Sequence, residues 1–168
     1  EHQIARGGEH GFGMNVISHN RSRWAPEAEA ECKARFVSKE ELLRTADHVV
    51  LVVPYTAASH HTIGAAELAM MKPSACLINI ARGGIVDDKA LAAALRNQTI
   101  AAAGLDVFEG EPTVTPELLT VPNVVLTPHI ASATIPTRRA MAMLAADNLI
   151  AFLSGQKPLT PLNPSVIG

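Results

Sequence analysis

Residues 71–87 read MKPSACLINIARGGIVD, and this stretch decides the fold. Lys72-Pro73 ends a preceding helix, because a residue before proline is disfavoured in the helical conformation. Ala75–Ile80 is then apolar at nearly every position, as in a strand buried on both faces. Arg82-Gly83-Gly84 follows, and Asp87 is a typical N-cap for the next helix. The order of helix end, buried strand, loop and helix start predicts an α/β unit.

The same alternation continues on both sides of this stretch. Further strands are predicted at Met14–His19, Val49–Val53, Ile100–Val107 and Val124–Thr127. Helices are predicted from the capping box Ser38–Glu41 and at Ile63–Met71, Asp88–Arg96, Glu117–Thr120 and Ile135–Leu153. Doubly apolar strands separated by helices form parallel sheets with right-handed crossovers. The predicted fold class is therefore α/β, a doubly wound parallel sheet of the Rossmann type, with its ligands beyond the carboxyl ends of the strands.

Composition excludes several other classes of protein. The 168 residues are 48% hydrophobic and 18% charged, which fits a globular core and not a disordered chain. A net charge of −2 argues against a nucleic-acid footprint or a polybasic membrane contact. No apolar stretch approaches the roughly 20 residues of a membrane helix. The two cysteines form no disulfide framework, and Cys76 is expected to be a small buried hydrophobe, so a reducing cytoplasm is the predicted location.

Three segments that follow predicted strands carry reactive groups. Arg82, held between a strand and two glycines, presents a planar fork that suits a carboxylate or a carbonyl oxygen. Asp106–Pro112 supplies carboxylates and His129 an imidazole, and a carboxylate beside a histidine raises the imidazole pKa to make a proton donor. Each has a structural alternative when taken alone: a surface arginine in a turn, a capping glutamate and a satisfied core histidine.

Together and in this order, the three segments resemble the D-isomer-specific 2-hydroxyacid dehydrogenase family, most of all its bacterial glyoxylate/hydroxypyruvate reductases. The resemblance implies an oxidoreductase that transfers hydride to a small 2-keto acid and forms the D-2-hydroxy acid. It implies that Arg82 binds the substrate carboxylate, that His129 protonates the carbonyl oxygen and that Glu111 keeps His129 protonated. Glu111 is preferred to Glu109 because the family's glutamate directly precedes a proline. The resemblance also implies a homodimer.

The end of the first predicted strand indicates the coenzyme. NAD enzymes usually place an acidic residue there to bind the ribose 2′-hydroxyl. Here the sequence is His19-Asn20-Arg21-Ser22-Arg23, whose arginines and hydroxyl suit a 2′-phosphate, so NADPH is predicted over NADH. The alternative is a solvated loop. The resemblance adds coenzyme contacts at Val53, Pro54, Tyr55, Ser59, Ile80, Ala81, Asp106 and Ser132, with Asp106 at the nicotinamide carboxamide.

A dinucleotide fold is expected to open with a strand and a glycine-rich phosphate loop, and neither is found. Residues 1–133 are therefore predicted to be a partial NAD(P)-binding domain, with 134–168 a crossover helix and tail returning to an absent substrate domain. The chain is expected to be an inactive C-terminal fragment, with two strand flanks unpaired where a central strand is missing.

A non-catalytic dinucleotide-binding or interaction module, such as a corepressor, is the alternative function. No metal site is predicted, because His60-His61 has no third ligand at a zinc-like spacing.

Overall fold

The computed structural model describes residues 2–166, and within them six parallel-paired strands form two sheets. In chain order the strands are β1 (Ile17–Ser18), β2 (Arg35–Phe36), β3 (His48–Leu51), β4 (Cys76–Asn79), β5 (Ala102–Leu105) and β6 (Val124–Leu126). Strands β3 to β6 form one sheet in chain order, and β1 pairs with β2 in the other. Parallel strands that neighbour each other along the chain require crossover connections. The predicted α/β, Rossmann-type class is confirmed.

Helices supply most of these connections. They are α1 (His2–Arg6), α2 (Pro26–Glu31), α3 (Lys39–Thr45), α4 (Ala65–Met70), α5 (Asp88–Arg96) and α6 (Ile135–Leu153). A π-helical turn at Gly7–Gly11 follows α1, and 3₁₀ segments lie at Pro116–Thr120 and Pro164–Val166. No helix in the described part of the chain is long and apolar enough to cross a membrane.

Two of the predicted helix starts are confirmed by their caps. The Ser38 hydroxyl accepts a hydrogen bond from the Glu41 amide at 3.1 Å. The Asp87 carboxylate accepts from the amides of Lys89 and Ala90, each at 3.0 Å. Both caps satisfy amides that have no partner inside their helix, which fixes where α3 and α5 begin.

The core lies between the four-stranded sheet and helices α3, α4 and α5. Its side chains are mostly aliphatic, as the low aromatic content predicts; the largest fully buried ones include Leu43, Leu68, Leu77, Leu91, Leu95 and Ile100. Burial alternates along β4, where Leu77 and Asn79 are buried and Cys76 is half-buried. The prediction that Cys76 is buried was therefore wrong, because Cys76 points to the less covered face; Cys32 is the fully buried cysteine.

Several predicted boundaries differ from the observed ones. The first strand spans only Ile17–Ser18 within the predicted run, and β2 and α2 were missed. Helix α4 starts at Ala65 because Ile63 forms a parallel β-bridge with Val86 instead of a first helical turn. The start of α2 had a local signal, since Pro26 occupies its first turn. Strand β2 had none, because two residues are too few to show a periodicity.

Strands β1 and β3 line the same cavity, of about 820 Å³. Among the described residues, β1 pairs only with β2 and β3 pairs only with β4, so one edge of each strand lacks a ladder partner. Apolar side chains that include Val16, Ile17 and Val49 line the cavity walls. The two unpaired strand flanks that the sequence analysis expects are thus present in the described part of the chain.

The chain separates into two compact units, one up to Pro128 and one from His129 onward. The first contains both sheets. The second contains α6, whose Asn148 side chain bonds the Thr160 backbone amide (2.9 Å) and hydroxyl (3.0 Å). The predicted domain division between residues 133 and 134 stays a prediction.

Candidate active site

Arg82 lies in the loop after β4, and a buried asparagine shapes that loop. Asn79, only 2% exposed, donates from Nδ2 to the Arg82 carbonyl at 3.0 Å and accepts from the Ala81 amide at 3.1 Å. A buried amide whose two ends are both bonded to the backbone has one favoured orientation. The loop therefore holds a defined position at the end of the strand.

Gly83 lets this loop pass against the next one. A Cβ atom placed on Gly83 would lie 1.8 Å from the Phe108 carbonyl oxygen and 2.9 Å from the Glu109 amide nitrogen. Gly84 has φ +75°, in the left-handed region that favours glycine. The two glycines thus bring the segment after β4 against the segment after β5.

The loops after β3, β4 and β5 meet at a cavity of about 910 Å³, here named the Arg82 cavity. Seven predicted site residues line it: Val53, Pro54, Tyr55, Ile80, Ala81, Arg82 and Glu111. These residues lie beyond the carboxyl ends of neighbouring strands, where ligands of open α/β sheets bind. The Arg82 side chain is exposed and provides a cation at the cavity wall.

Glu109 and Glu111 both line this cavity but have different partners. The Glu111 carboxylate accepts a hydrogen bond from the Phe108 amide at 2.8 Å. Glu109 Oε2 lies 2.9 Å from His61 Nε2. The pairing of Glu111 with His129 stays a prediction.

Asp88 anchors the loop that carries both glutamates. Its Oδ2 accepts from the Glu109 amide and from the Thr115 hydroxyl, each at 3.1 Å. The Asp88 side chain is buried, and burial raises its pKa above the ordinary aspartate value, although these two hydrogen bonds act in the opposite direction. A buried carboxylate at the start of α5 therefore anchors the loop whose Glu109 and Glu111 line the Arg82 cavity.

The predicted coenzyme loop after β1 contains an ion pair that sequence reasoning missed. Arg23 donates from Nε and Nη2 to the Glu29 carboxylate, at 2.6 Å for the shortest contact. Glu29 is 6% exposed, and its hydrogen bonds with Arg23 hold its pKa below the ordinary glutamate value. The Arg23 guanidinium also lies 5.9 Å from the centre of the Phe36 ring. Both Arg21 and Arg23 are exposed, but these contacts hold the Arg23 guanidinium against α2 and β2.

The other residues of that loop line the cavity between β1 and β3, which we name the coenzyme cavity after its predicted ligand. Asn20, Arg21, Ser22, Val53, Pro54 and Ser59 line it. Its described lining residues include Arg21 and Lys39 and no carboxylate, although Lys39 Nζ already bonds Glu67 Oε1 at 2.8 Å. An anionic, phosphate-bearing ligand fits such a lining, since nothing in it repels negative charge.

Hydrogen bonds hold two further predicted residues, Asp106 and Ser59, in the loops after β5 and β3. Asp106 is buried and accepts from the Thr127 hydroxyl at 2.6 Å. Ser59 lies in a turn, where its hydroxyl donates to the Pro54 carbonyl at 2.9 Å. His129 is the first residue of the second unit, with φ +54°, and Ser132 follows in the same unit. Their roles stay predictions.

Residues 3–131 match the family described as D-isomer specific 2-hydroxyacid dehydrogenase, NAD binding domain. The chain belongs to this family. The loops described above are therefore those of a nicotinamide-coenzyme domain.

Three known proteins are similar to this chain over nearly its whole length. The chain is 53% identical over 157 residues to a glyoxylate reductase of Thermococcus gammatolerans, covering 94% of this chain and 47% of that protein. An NADPH-dependent glyoxylate/hydroxypyruvate reductase of Sinorhizobium meliloti, solved with NADP and malonate, has a TM-score of 0.83 at 40% identity, covering 91% of this chain and 47% of that one. D-mandelate dehydrogenase of Rhodotorula graminis has a TM-score of 0.88 at 40% identity, over 95% of this chain and 47% of that one. The chain spans about half the length of the curated relatives it matches.

Proposed function

We propose that this chain is the coenzyme-binding part of a reductase that transfers hydride from NADPH to a small 2-keto acid of the glyoxylate or hydroxypyruvate type, forming the D-2-hydroxy acid. One observation carries the proposal. The loops after three neighbouring strands bring Arg82 and Glu111 to one cavity in a chain of the 2-hydroxyacid dehydrogenase family. The relatives named as glyoxylate reductases support the substrate class.

The proposed mechanism divides the work among three side chains. Arg82 binds the substrate carboxylate and draws electron density from the keto group, because its fork donates two parallel hydrogen bonds. His129 donates a proton to the carbonyl oxygen as that oxygen gains negative charge. Glu111 keeps the imidazole of His129 protonated and oriented. NADPH, when bound, supplies the hydride.

Residues of the coenzyme cavity would hold the NADPH. Arg21, with Asn20 and Ser22 beside it, would bind the 2′-phosphate. The ion pair of Arg23 with Glu29 would hold the end of the same loop in place. We place Val53, Pro54 and Ser59 along the dinucleotide and Asp106 at the nicotinamide carboxamide. Ser132 is a further proposed contact.

We also propose a domain division, an oligomeric state and a cellular location. Residues 1–133 would form part of the coenzyme domain, and 134–168 a crossover helix and tail leading toward a substrate domain. We propose a homodimer in a reducing cytoplasm. The large apolar side chains that α6 exposes, Ile135, Met141, Leu149 and Phe152 among them, support an interface on that helix.

A chimera tests the activity directly. In it, the aligned part of this chain replaces the matching 157-residue segment of the Thermococcus gammatolerans glyoxylate reductase, whose other segments are kept. We expect glyoxylate- and hydroxypyruvate-dependent loss of NADPH absorbance at 340 nm. The matched control is the unmodified relative assayed under the same conditions.

The chimera also distinguishes the proposed reductase from the alternative function, a non-catalytic module. A non-catalytic dinucleotide-binding module would bind NADPH, as followed by coenzyme fluorescence, without turning over either keto acid. A folded chimera that binds NADPH and shows no turnover contradicts the proposed reductase.

Coenzyme choice gives a separate prediction, on Arg21. In the chimera, Arg21→Ala is expected to raise the KM for NADPH about ten- to hundredfold, since hydrogen bonds to charged groups contribute about 1.5–3 kcal/mol. The KM for NADH should change little, because NADH has no 2′-phosphate. Steady-state kinetics with each coenzyme measure both values.

Arg44→Ala is the control for that experiment. It removes the same charge from an exposed position of α3, where Arg44 pairs with Glu40, and should leave both KM values unchanged. Equal or better turnover with NADH in the unsubstituted chimera would refute the NADPH preference.

A further inference from the structure

Two adjacent histidines and a glutamate from a distant part of the chain meet beside the Arg82 cavity. They are His60, His61 and Glu109, here named the His-His-Glu cluster. One donor atom from each lies within 4.8 Å of the other two. The imidazole rings of His60 and His61 stack at 3.8 Å between centroids, and His61 Nε2 lies 2.9 Å from Glu109 Oε2. Sequence spacing could not reveal the third member, which is 48 residues from His61.

The backbone holds each member of the cluster in place. The His61 amide donates to the Gly84 carbonyl at 2.8 Å, and His61 has φ +49°, an uncommon conformation for histidine. The His60 amide donates to the Thr56 carbonyl at 3.1 Å. The Glu109 amide is anchored on Asp88. A backbone hydrogen bond therefore holds each of the three residues, which keeps their side chains close to one another.

The donor set has the chemistry of a transition-metal site. Two imidazoles and one carboxylate suit Zn²⁺ and similar divalent ions, and three protein ligands leave one position of a tetrahedron open. Donors at about 2.0–2.1 Å from zinc lie about 3.3 Å apart. The His61–Glu109 pair is already near that separation, at 2.9 Å. The His60 side chain is exposed and can rotate to bring its donor atom closer to the other two.

We propose that the His-His-Glu cluster binds one divalent transition-metal ion of the zinc class. The ion would take the place of the hydrogen bond between His61 and Glu109. Because Glu109 also lines the Arg82 cavity, the ion would add positive charge next to the place where we put the substrate carboxylate. This site uses neither Arg82 nor Glu111, so it does not depend on the proposed reductase activity.

Zinc titration of the untagged, chelator-treated 168-residue chain tests the proposal. Isothermal titration calorimetry with ZnCl₂ is expected to show about one bound equivalent. His61→Ala and Glu109→Gln should each weaken binding at least about tenfold, because each removes a metal ligand. MgCl₂ should give no binding, since Mg²⁺ prefers an all-oxygen site.

His48→Gln is the matched control, because it removes an exposed imidazole from β3, outside the cluster. Zinc binding should be unchanged in this variant. Circular dichroism confirms that each variant is folded; if His61→Ala is not, Glu109→Gln, which keeps the size of the side chain, decides alone. No zinc binding to the unsubstituted chain, or equal binding by Glu109→Gln, overturns the proposal.

Discussion

His129→Ala in the chimera is expected to lower kcat about a hundred- to ten-thousandfold, the usual contribution of a positioned proton donor. The keto oxygen gains negative charge as hydride arrives, and without the imidazole only water can protonate it. The Kd for NADPH should stay within about twofold, because the proposed coenzyme contacts lie mainly in the loops after β1 and β3. Single-turnover absorbance at 340 nm and coenzyme fluorescence measure the two quantities.

The backbone of His129 calls for a second variant. Its φ of +54° is unfavourable for alanine, whereas asparagine is among the residues that tolerate the left-handed region. His129→Asn therefore removes the proton donor with less backbone strain, and should lose a similar factor in kcat. If His129→Asn keeps full activity, His129 is not the acid.

Gly83→Ala is expected to destabilise the chain by more than about 3 kcal/mol, at the upper end for an overpacked site. The added Cβ would lie 1.8 Å from the Phe108 carbonyl oxygen and 2.3 Å from its carbon, and both are backbone atoms that no side-chain rotation can move. A loss of about 3 kcal/mol lowers Tm by about 6–12 °C in a chain of this size. Thermal unfolding followed by circular dichroism measures the shift.

Gly104→Ala provides the comparison. Gly104 lies in β5 with no atom within 4 Å of the position its Cβ would take, so this variant should unfold close to the unsubstituted chain. If the two variants have the same Tm, the close approach of the loops after β4 and β5 does not constrain the fold.

The stretch around Arg82 shows what local sequence can predict. Its strand, the cap at Asp87 and helix α5 were all predictable, because each depends on residues within a few positions of one another. The resemblance of the flanking motifs then identified the family. The position of Arg82 at a cavity follows from the general rule for parallel sheets.

Contacts between distant residues were not predictable in the same way. Neither the Glu109–His61 pair nor the anchoring of Glu109 on Asp88 has a periodicity or a spacing that reveals it. The Arg23–Glu29 pair is only six residues apart, but it depends on α2, which the sequence analysis missed. Gly83-Gly84 was the one available signal, since adjacent glycines often mark a close approach of two backbone segments.

The division of the strands into two sheets gives the chain regions of unequal local stability. The ladder of β1 and β2 has two residue pairs, whereas β3 and β4 share four and continue into β5 and β6. Amides of the shorter ladder should therefore exchange with solvent through openings of lower free energy than those of the larger sheet. The loop that we assign to the 2′-phosphate leaves this weaker ladder. Bound coenzyme would then slow exchange most strongly there, coupling occupancy of the site to the folding of the region that recognises it.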